Sequence, residues 1–187
     1  MDRNILRQEL RMRRKTAALT QTDAATRLAE QFKTITLPAN AICAGYIAVR
    51  DEIDPAEVMK FLSARGMQLS LPLVENENQP LEFREYSLGD TLSVDNPFQI
   101  PEPTADKNIV LPIVMLVPLL GFDRDGNRMG SGKGLYDRTI ADLRQRQAVI
   151  AIGVGFAEQE TPKIQPKDHD QTLNIIVTPR EVIYCPQ

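Results

Sequence analysis

The chain has 187 residues, of which 42% are hydrophobic and 25% are charged, and its formal net charge is −3 at pH 7. This length suits one domain with a sizeable core, and no apolar run approaches the roughly 20 residues that a membrane span requires. The negative charge argues against a protein that binds nucleic acid by neutralising phosphates, so we expect neither a nucleic-acid nor a membrane partner.

The cysteines, the histidine and the N-terminal segment further restrict the class of protein to which the chain can belong. Cys43 and Cys185 are far apart in sequence and predict two reduced thiols, and the single histidine, His169, argues against a histidine-rich metal site. The charged N-terminus lacks the apolar segment of a secretory signal. These features predict a cytoplasmic protein, which we expect to be a monomer.

Two helices are predicted at the start of the chain. Apolar residues recur at helical spacing within residues 3–19, a segment that is also rich in arginine. The arginines either form a solvated helix face or, if that face turns inward, recognise phosphate. Thr20 or Thr22 would cap a second helix that runs to about residue 35.

A β-α-β unit follows the two helices. Residues 41–49 predict a buried strand, and residues 67–73 predict a second one. Between them, Asp54 as N-cap and Pro55 as first helical residue begin a helix that Gly66 ends. Such a unit favours parallel pairing with a right-handed crossover, which is the basis of a layered α/β fold.

The second half of the chain continues the alternation. Residues 81–86 alternate apolar and polar side chains and predict an edge strand, whereas the proline-rich residues 97–103 predict a loop. Further strands are predicted at residues 111–120, 148–155, 173–178 and 181–184, and a helix at residues 133–145. The sequence therefore predicts one α/β domain over residues 1–187, a mostly parallel sheet with helices on both faces. This is Rossmann-like layering without the dinucleotide fingerprint.

Residues 117–138, VPLLGFDRDGNRMGSGKGLYDR, form the most informative segment. Gly130, Gly132 and Gly134 fall where a loop leads into a predicted helix, and the free N–H groups and dipole of a helix N-terminus attract anions. Arg128 and Lys133 would add full positive charge. The alternative is a glycine-rich surface turn with incidental charges.

Two common phosphate-binding motifs do not fit this segment. A P-loop would need glycine in place of Asn127 and serine or threonine in place of Gly134. A Rossmann fingerprint would need glycine in place of Leu135. The choice between an anion site and a surface turn therefore depends on the rest of the sequence.

Polar residues follow several predicted strands, and ligands of open α/β sheets bind at this edge. Arg50, Asp51 and Glu52 follow the first strand, where Glu52 is either a functional acid or a solvated acid near a helix N-terminus.

Two carboxylates are candidates for magnesium. Asp137 lies about one turn inside the helix after the glycines, where a carboxylate beside bound phosphates serves as a Mg²⁺ ligand. Asp170, just before the strand at 173–178, is a second candidate. The alternatives are a surface ion pair for Asp137 and Arg138, and an exposed imidazole without a partner for His169.

These pieces occur together in an order that resembles the 5-formyltetrahydrofolate cyclo-ligase family, also called methenyltetrahydrofolate synthetases. The resemblance spans the chain, and its combination of segments is more specific than any single one. The segments that carry it are residues 3–7 (RNILR), 51–53 (DEI), 101–103 (PEP), 121–138 (GFDRDGNRMGSGKGLYDR) and 169–170 (HD).

The resemblance implies an enzyme that uses ATP and Mg²⁺ to convert 5-formyltetrahydrofolate into 5,10-methenyltetrahydrofolate, ADP and phosphate. Phosphorylation of the formyl oxygen would make it a good leaving group, and the folate nitrogen N10 would then attack and expel phosphate. No protein nucleophile is needed, so catalysis rests on positioning and charge stabilisation.

The resemblance also implies roles for particular residues. Arg128 and Lys133 would stabilise the transferring phosphoryl group, and Asp137 and Asp170 would bind Mg²⁺. The residues implied in ATP binding are Arg3, Asn4, Ile5, Leu6, Arg7, Arg128, Met129, Gly130, Ser131, Gly132, Lys133, Gly134, Leu135 and Tyr136. The residues implied in folate binding are Ile47, Glu52, Phe98, Ser131, Gly132, Lys133, Gly134 and Leu135.

Two positions depart from the family pattern. Arg3 stands where the family often has lysine, which exchanges a compact charge for a planar fork. Leu135 replaces the first tyrosine of the family sequence G-Y-Y-D and removes an aromatic ring and a hydroxyl from the predicted substrate wall. Two alternatives therefore stay open: an ATP-using paralogue that acts on another formylated or folate-like substrate, and a non-catalytic nucleotide- or folate-binding module.

Overall fold

A computed structural model describes residues 3–74, 76, 78–96 and 99–186. Its helices are α1 (Arg3–Thr20), α2 (Ala24–Phe32), α3 (Ala56–Ala64) and α4 (Leu135–Arg146). Its strands are β1 (Ile42–Ala44), β2 (Gln68–Leu73), β3 (Glu82–Tyr86), β4 (Leu92–Ser93), β5 (Glu102–Pro103), β6 (Val114–Pro118), β7 (Gly121–Phe122), β8 (Arg128–Met129), β9 (Ile150–Val154), β10 (Ile175–Val177) and β11 (Val182–Tyr184).

The central sheet has seven strands in the order β11-β10-β9-β6-β1-β2-β3. Its five inner strands pair in parallel, and β3 and β11 pair antiparallel at the two edges. The prediction of a mostly parallel sheet is confirmed, as is the edge strand predicted within residues 81–86. Two short antiparallel ribbons, β4–β5 and β7–β8, lie outside this sheet.

Helices cover both faces of the sheet, as predicted. Successive residues of a strand point to opposite faces, and β6 shows where each face is buried. Val114 and Leu116 pack in a cluster with apolar residues of α2 and α3, whereas Met115 and Val117 pack in a second cluster with Ile140 of α4. A strand buried on both faces explains the continuous apolar run in this part of the sequence.

The N-terminal half of α1 lies beside the end of the sheet rather than on one of its faces. Leu6 and Leu10 form a third apolar cluster with Leu120, Met129 and Ile164. These partners belong to the segment just after β6, to β8 and to the loop after β9. This packing holds the arginine-rich helix against the glycine-rich segment that precedes α4.

The strand predicted over residues 41–49 is much shorter in the structure. β1 ends at Ala44, and the chain then forms a loop in which the hydroxyl of Tyr46 donates to the carbonyl of Ile53 at 2.7 Å. The backbone N–H of Val49 donates to the carboxylate of Glu52 at 3.0 Å, and Arg50 has a positive φ of 60°. Gly45 still donates to the carbonyl of Ser70 in β2 at 2.9 Å, but the prediction of strand over residues 45–49 is wrong because the bonds of Tyr46 and Val49 replace any further sheet pairing.

The predicted helix caps are only partly right. Neither Thr20 nor Thr22 caps α2, which begins after Asp23, and the Thr20 hydroxyl instead donates to the carbonyl of Thr16 at 2.9 Å. At α3 the carboxylate of Asp54 accepts the N–H of Ala56 at 2.9 Å, although the helix starts one residue later than predicted.

None of the helices in the described ranges is long and apolar enough to cross a bilayer.

A tight turn precedes the glycine-rich segment and sets its direction. The buried carboxylate of Asp123 accepts the N–H groups of Asp125, Asn127 and Ile164, at 3.1, 3.0 and 2.8 Å. Gly126, with φ at +86°, completes the turn, and a Cβ at this position would lie 2.7 Å from the carbonyl oxygen of Leu173. This turn requires glycine for its φ and for the close backbone neighbour.

We expect Gly126→Ala to lower the free energy of unfolding by about 2 kcal/mol or more, because it adds backbone strain and a clash with a carbonyl. Urea denaturation would measure the loss. Gly89→Ala is the matched control: its φ is +91°, but no described heavy atom lies within 4 Å of the added Cβ, so it carries the strain alone. Equal losses in the two variants would contradict the role of the Leu173 contact.

Candidate functional site

A cavity of about 450 Å³ lies at the carboxyl ends of the central parallel strands. Tyr46 and Ile47, just beyond β1, line it, as do residues 118–120 at the end of β6. Residues 130–134, which we call the glycine loop, form another part of its wall together with α1. Polar residues that follow separate strands therefore share one cavity.

Most of the residues implied in binding or catalysis line this cavity. They are Arg3, Arg7, Ile47, Glu52, Arg128, Met129, Gly130, Ser131, Gly132, Lys133, Gly134, Leu135, Tyr136, Asp137 and Asp170.

Three of the residues implied in ATP binding lie elsewhere on α1, and one folate residue cannot be placed. Asn4 accepts a hydrogen bond from Arg7 at 3.1 Å, Ile5 is 59% exposed, and Leu6 is buried in the third apolar cluster. Because a helix turns by about 100° per residue, only one side of the segment 3–7 can face the cavity. Phe98 lies outside the described residues.

The glycine loop lets α1 approach closely. Gly132 and Gly134 have φ values of +112° and +68°, and Gly134 directly precedes α4. The Arg7 guanidinium lies 3.7 Å from the position of a Cβ on Gly132, and its Nε donates to the carbonyl of Gly130 at 3.4 Å. The loop therefore leads into a helix N-terminus, as predicted, and the Arg7 guanidinium of α1 lies against the loop.

A buried ion pair supports the start of α4. Arg128, only 8% exposed, donates from Nη1 to Oδ1 of Asp137 at 2.7 Å and to the carbonyl of Gln171 at 3.1 Å. The N–H of Gln171 donates to the same Oδ1 at 3.0 Å. The alternative of a surface pair between Asp137 and Arg138 is therefore wrong, because Asp137 pairs with a buried arginine of β8.

A second ion pair joins the N-terminus of α1 to the loop before β10. Arg3 donates to Oδ2 of Asp170 at 2.7 Å, and the N–H of Lys167 donates to the same oxygen at 2.9 Å. Partial burial would raise the pKa of Asp170, but the bonds from Lys167 and Arg3 lower it below its ordinary value. His169 lines the cavity and is 70% exposed, as expected, but the alternative of an imidazole without a partner is wrong because Nε2 lies 3.6 Å from Oδ1 of Asp170.

Glu52 occupies the other end of the cavity, among partly or fully buried groups. Burial raises the pKa of Glu52, although the N–H of Val49 and the charge of Arg14 oppose the shift. Burial, with the Glu52 charge in addition, also raises the pKa values of Tyr46 and Tyr136. An acid with two neighbouring phenols can bind a polar heterocycle through several hydrogen bonds.

Sequence reasoning missed several residues of this wall. Tyr46 lay within residues 41–49, whose largely apolar sequence predicted a buried strand and gave no sign of a loop. Arg14 belonged to the arginine-rich helix, but helical spacing alone did not indicate its partner in the loop after β1. Lys167 carried no sequence signal.

The sequence pattern of the 5-formyltetrahydrofolate cyclo-ligase family matches residues 1–179 of the chain. The chain belongs to this family. Similar relatives named 5-formyltetrahydrofolate cyclo-ligase include that of Haemophilus influenzae, 31% identical over 66% of this chain and 67% of the relative. That of Escherichia coli K12 is 30% identical over 73% of this chain and 77% of the relative. Cyclo-ligases of this family are ATP-dependent and act on a folate.

Solved structures of methenyltetrahydrofolate synthetases share the cyclo-ligase fold of this chain. The Aquifex aeolicus protein has a TM-score of 0.78 at 22% identity and covers 100% of this chain and 94% of its own. The Mycoplasma pneumoniae protein has a TM-score of 0.74 at 20% identity and covers 96% and 99%. The layered sheet is therefore common to all three.

The raised pKa of Glu52 has a consequence for stability. Above its folded pKa the buried carboxylate is ionised at a cost in folding free energy, and below its unfolded pKa the group is neutral in both states. We expect Glu52→Gln to raise the free energy of unfolding at about pH 8 and to lose this advantage near pH 3, as measured by urea denaturation. Glu30→Gln, on the exposed side of α2, controls for the loss of one negative charge. A gain in the free energy of unfolding that is equal at both pH values would contradict the raised pKa of Glu52.

Proposed function

We propose that this chain catalyses the ATP-dependent cyclisation of 5-formyltetrahydrofolate to 5,10-methenyltetrahydrofolate, with release of ADP and phosphate. Membership of the cyclo-ligase family supports the reaction. The observation that carries the proposal is a single cavity lined by the basic glycine loop at one end and by Glu52 at the other. The two substrates must meet in one site, because phosphate passes directly between them.

The nucleotide end of the proposed site combines backbone and charge. The glycine loop opens into the N-terminus of α4, where N–H groups and the helix dipole favour phosphate. Arg3 and Arg7 line the cavity from α1, and Lys133 lines it from the loop. We propose that Arg7 and Lys133 bind the nucleotide phosphates and that Lys133 stabilises the transferring phosphoryl group.

Arg128 supports the nucleotide end of the proposed site as one partner of a buried ion pair, not as a free charge. Its guanidinium is buried and bonded to Asp137 and to the carbonyl of Gln171. We propose that it stabilises the transferring group through its position at the start of α4, where its positive charge adds to the helix dipole.

The folate end of the proposed site combines Glu52 with apolar side chains. Glu52 would accept hydrogen bonds from the N–H groups of the pterin, and Ile47 and Leu135 would pack against its rings. Tyr136 lies between the two ends, because it belongs to α4 and senses the charge of Glu52. We propose that its hydroxyl lies close to where the formyl group and the γ-phosphate would meet.

The proposed chemistry needs no covalent bond to the protein. The formyl oxygen attacks the γ-phosphorus, the bond from phosphorus to the ADP oxygen breaks, and the product is a phosphorylated formyl group. N10 then attacks the formyl carbon and loses its proton, and the carbon–oxygen bond breaks to release phosphate. The chain contributes by aligning the reactants and by stabilising negative charge on the transferring group.

Magnesium fits this arrangement as a partner of the nucleotide. Mg²⁺ commonly takes one or two carboxylates and fills its other positions with phosphate oxygens and water. Asp137 accepts its two hydrogen bonds at Oδ1, so Oδ2 is available to a cation. Among the described residues, no group of three or more His, Cys, Asp or Glu side chains is arranged to hold a metal ion, so the chain would supply only part of the Mg²⁺ ligands. We propose that Asp137 and Asp170 hold Mg²⁺, which neutralises phosphate charge when bound.

The proposed function is tested by the absorbance of methenyltetrahydrofolate. Purified protein, 5-formyltetrahydrofolate and Mg²⁺ are mixed with and without ATP, and ADP is measured in parallel. We expect one product per ADP and none without ATP, which would also make Leu135 a tolerated substitution. ADP formed only with another formylated substrate would favour the paralogue, and ligand binding without any ADP would favour a binding module. The monomeric state and the cytoplasmic location stay predictions.

We expect Lys133→Ala to lower kcat by about 100-fold, because the variant loses about 3 kcal/mol of charge stabilisation in the transition state. Steady-state kinetics at saturating ATP would measure the change. Lys163→Ala removes the same charge from an exposed position that does not line the cavity and should keep wild-type activity. Wild-type kcat in Lys133→Ala would remove the proposed role.

We expect Asp137→Asn to lower kcat/KM for the Mg²⁺–ATP complex by about 100-fold, since the neutral amide is a weaker Mg²⁺ ligand and leaves Arg128 without its anion. A titration with Mg²⁺ should show a higher half-saturating concentration. Asp142→Asn is the control on the same helix, where the acid pairs with Arg146 at the surface. An unchanged magnesium dependence in Asp137→Asn would contradict the metal assignment.

A further inference from the structure

Arg14 makes contacts that the proposed reaction does not yet use. Its Nε and Nη2 lie 3.0 and 3.4 Å from the two carboxylate oxygens of Asp51, so the guanidinium binds both. Nη1 lies 3.6 Å from Oε1 of Glu52 and 3.5 Å from the carbonyl of Leu119. The Arg14 side chain is only 12% exposed. One side chain of α1 therefore contacts the loop after β1 and the end of β6 together.

The position of Arg14 on α1 connects the two ends of the cavity. Arg3 and Arg7 lie on the same helix, 11 and 7 residues earlier, which is roughly 16 and 10 Å along the axis at 1.5 Å per residue. All three arginines line the cavity. A helix is stiff over this length, so the placement of Arg14 against Asp51 also sets the position of the other two.

We propose that Arg14 is a positioning residue, which clamps Asp51 so that the adjacent Glu52 is presented to the folate and so that this loop stays docked on the nucleotide-binding helix. The bidentate contact is specific in geometry, because a guanidinium and a carboxylate match in only a few orientations. Since Asp51 and Glu52 are neighbours in one turn, holding the first restricts the second. This inference rests on the proposed function only for the identity of the ligand that Glu52 receives.

The charges around Glu52 give the clamp a measurable signature. Glu52 faces Arg14 from α1, Arg50 and Asp51 from its own loop, and the phenols of Tyr46 and Tyr136. Burial raises the pKa of Glu52, and the positive charge of Arg14 opposes that rise.

Asp51 reports the same clamp from the other side. Burial would raise the pKa of Asp51, but the hydrogen bonds and charge of Arg14 bring it below its ordinary value. Without Arg14, Glu52 would lose a cation, and the negative charge of Asp51, which raises the pKa of Glu52, would no longer be offset by the guanidinium. Both changes move the pKa of Glu52 upward.

The neighbouring arginine supplies a matched control. Arg13 is on the outer side of α1, where its side chain is 42% exposed, pairs with Glu9 and donates to the carbonyl of Glu160 at 3.2 Å. Arg13→Met therefore removes the same charge from the same helix without touching the loop of Glu52. Arg14→Lys keeps the positive charge at position 14 but loses the planar guanidinium that binds both oxygens of Asp51.

The test compares Arg14→Met, Arg14→Lys and Arg13→Met with the wild type. The first readout is a ¹³C NMR titration of the glutamate carboxyls, with the Glu52 signal assigned by its absence in Glu52→Gln. We expect a higher Glu52 pKa in Arg14→Met and an unchanged one in Arg13→Met. This readout needs no turnover, so it tests the clamp even if the chain does not cyclise 5-formyltetrahydrofolate.

The second readout is the pH dependence of kcat/KM for 5-formyltetrahydrofolate. We expect Arg14→Met to raise KM for the folate by about 10-fold and to move the acid limb of the pH profile to higher pH. In Arg14→Lys we expect the acid limb at its wild-type position and a KM between those of the wild type and Arg14→Met. A Glu52 pKa that is unchanged in Arg14→Met would overturn the clamp, as would an equal loss of kcat/KM at all pH values. A wild type without product would overturn the proposed function alone.

Discussion

Burial of both sheet faces is the constraint on which the arrangement of this molecule depends. The inner strands carry apolar side chains on their two sides, and α2, α3 and α4 cover them. Unpaired polar groups are costly inside such layers, so partly buried charged side chains gather where the strands end rather than between the layers. The cavity at the carboxyl ends is therefore the place that this fold leaves for polar chemistry.

Three arginine–carboxylate pairs shape this edge from different parts of the chain. Arg3–Asp170 and Arg14–Asp51 join α1 to two loops, and Arg128–Asp137 joins β8 to α4. Partly buried pairs of this kind contribute little net stability, because desolvation offsets the attraction between the charges. Their geometry does, however, restrict how the surrounding segments can lie.

Much of the secondary structure could be predicted from the sequence, because apolar periodicity and turn residues are local signals. The helix predicted at residues 3–19 is α1, Gly66 follows α3 with a positive φ, and the glycine loop leads into α4. These sequence signals failed where the hydrogen bonds of a loop compete with the pairing of strands. The strand predicted to residue 49 stops at Ala44, because the apolar letters of residues 45–49 do not reveal the hydrogen bonds of a loop.

The sequence by itself determined the α/β class, the order of the elements and the family, because these depend on patterns along the chain. Only the tertiary structure decided which charges meet. Asp137 pairs with Arg128 rather than with its neighbour Arg138, and Arg14 reaches Asp51, 37 residues away. Such partners are chosen by the packing of helices on the sheet, and sequence separation carries no information about distances set by that packing.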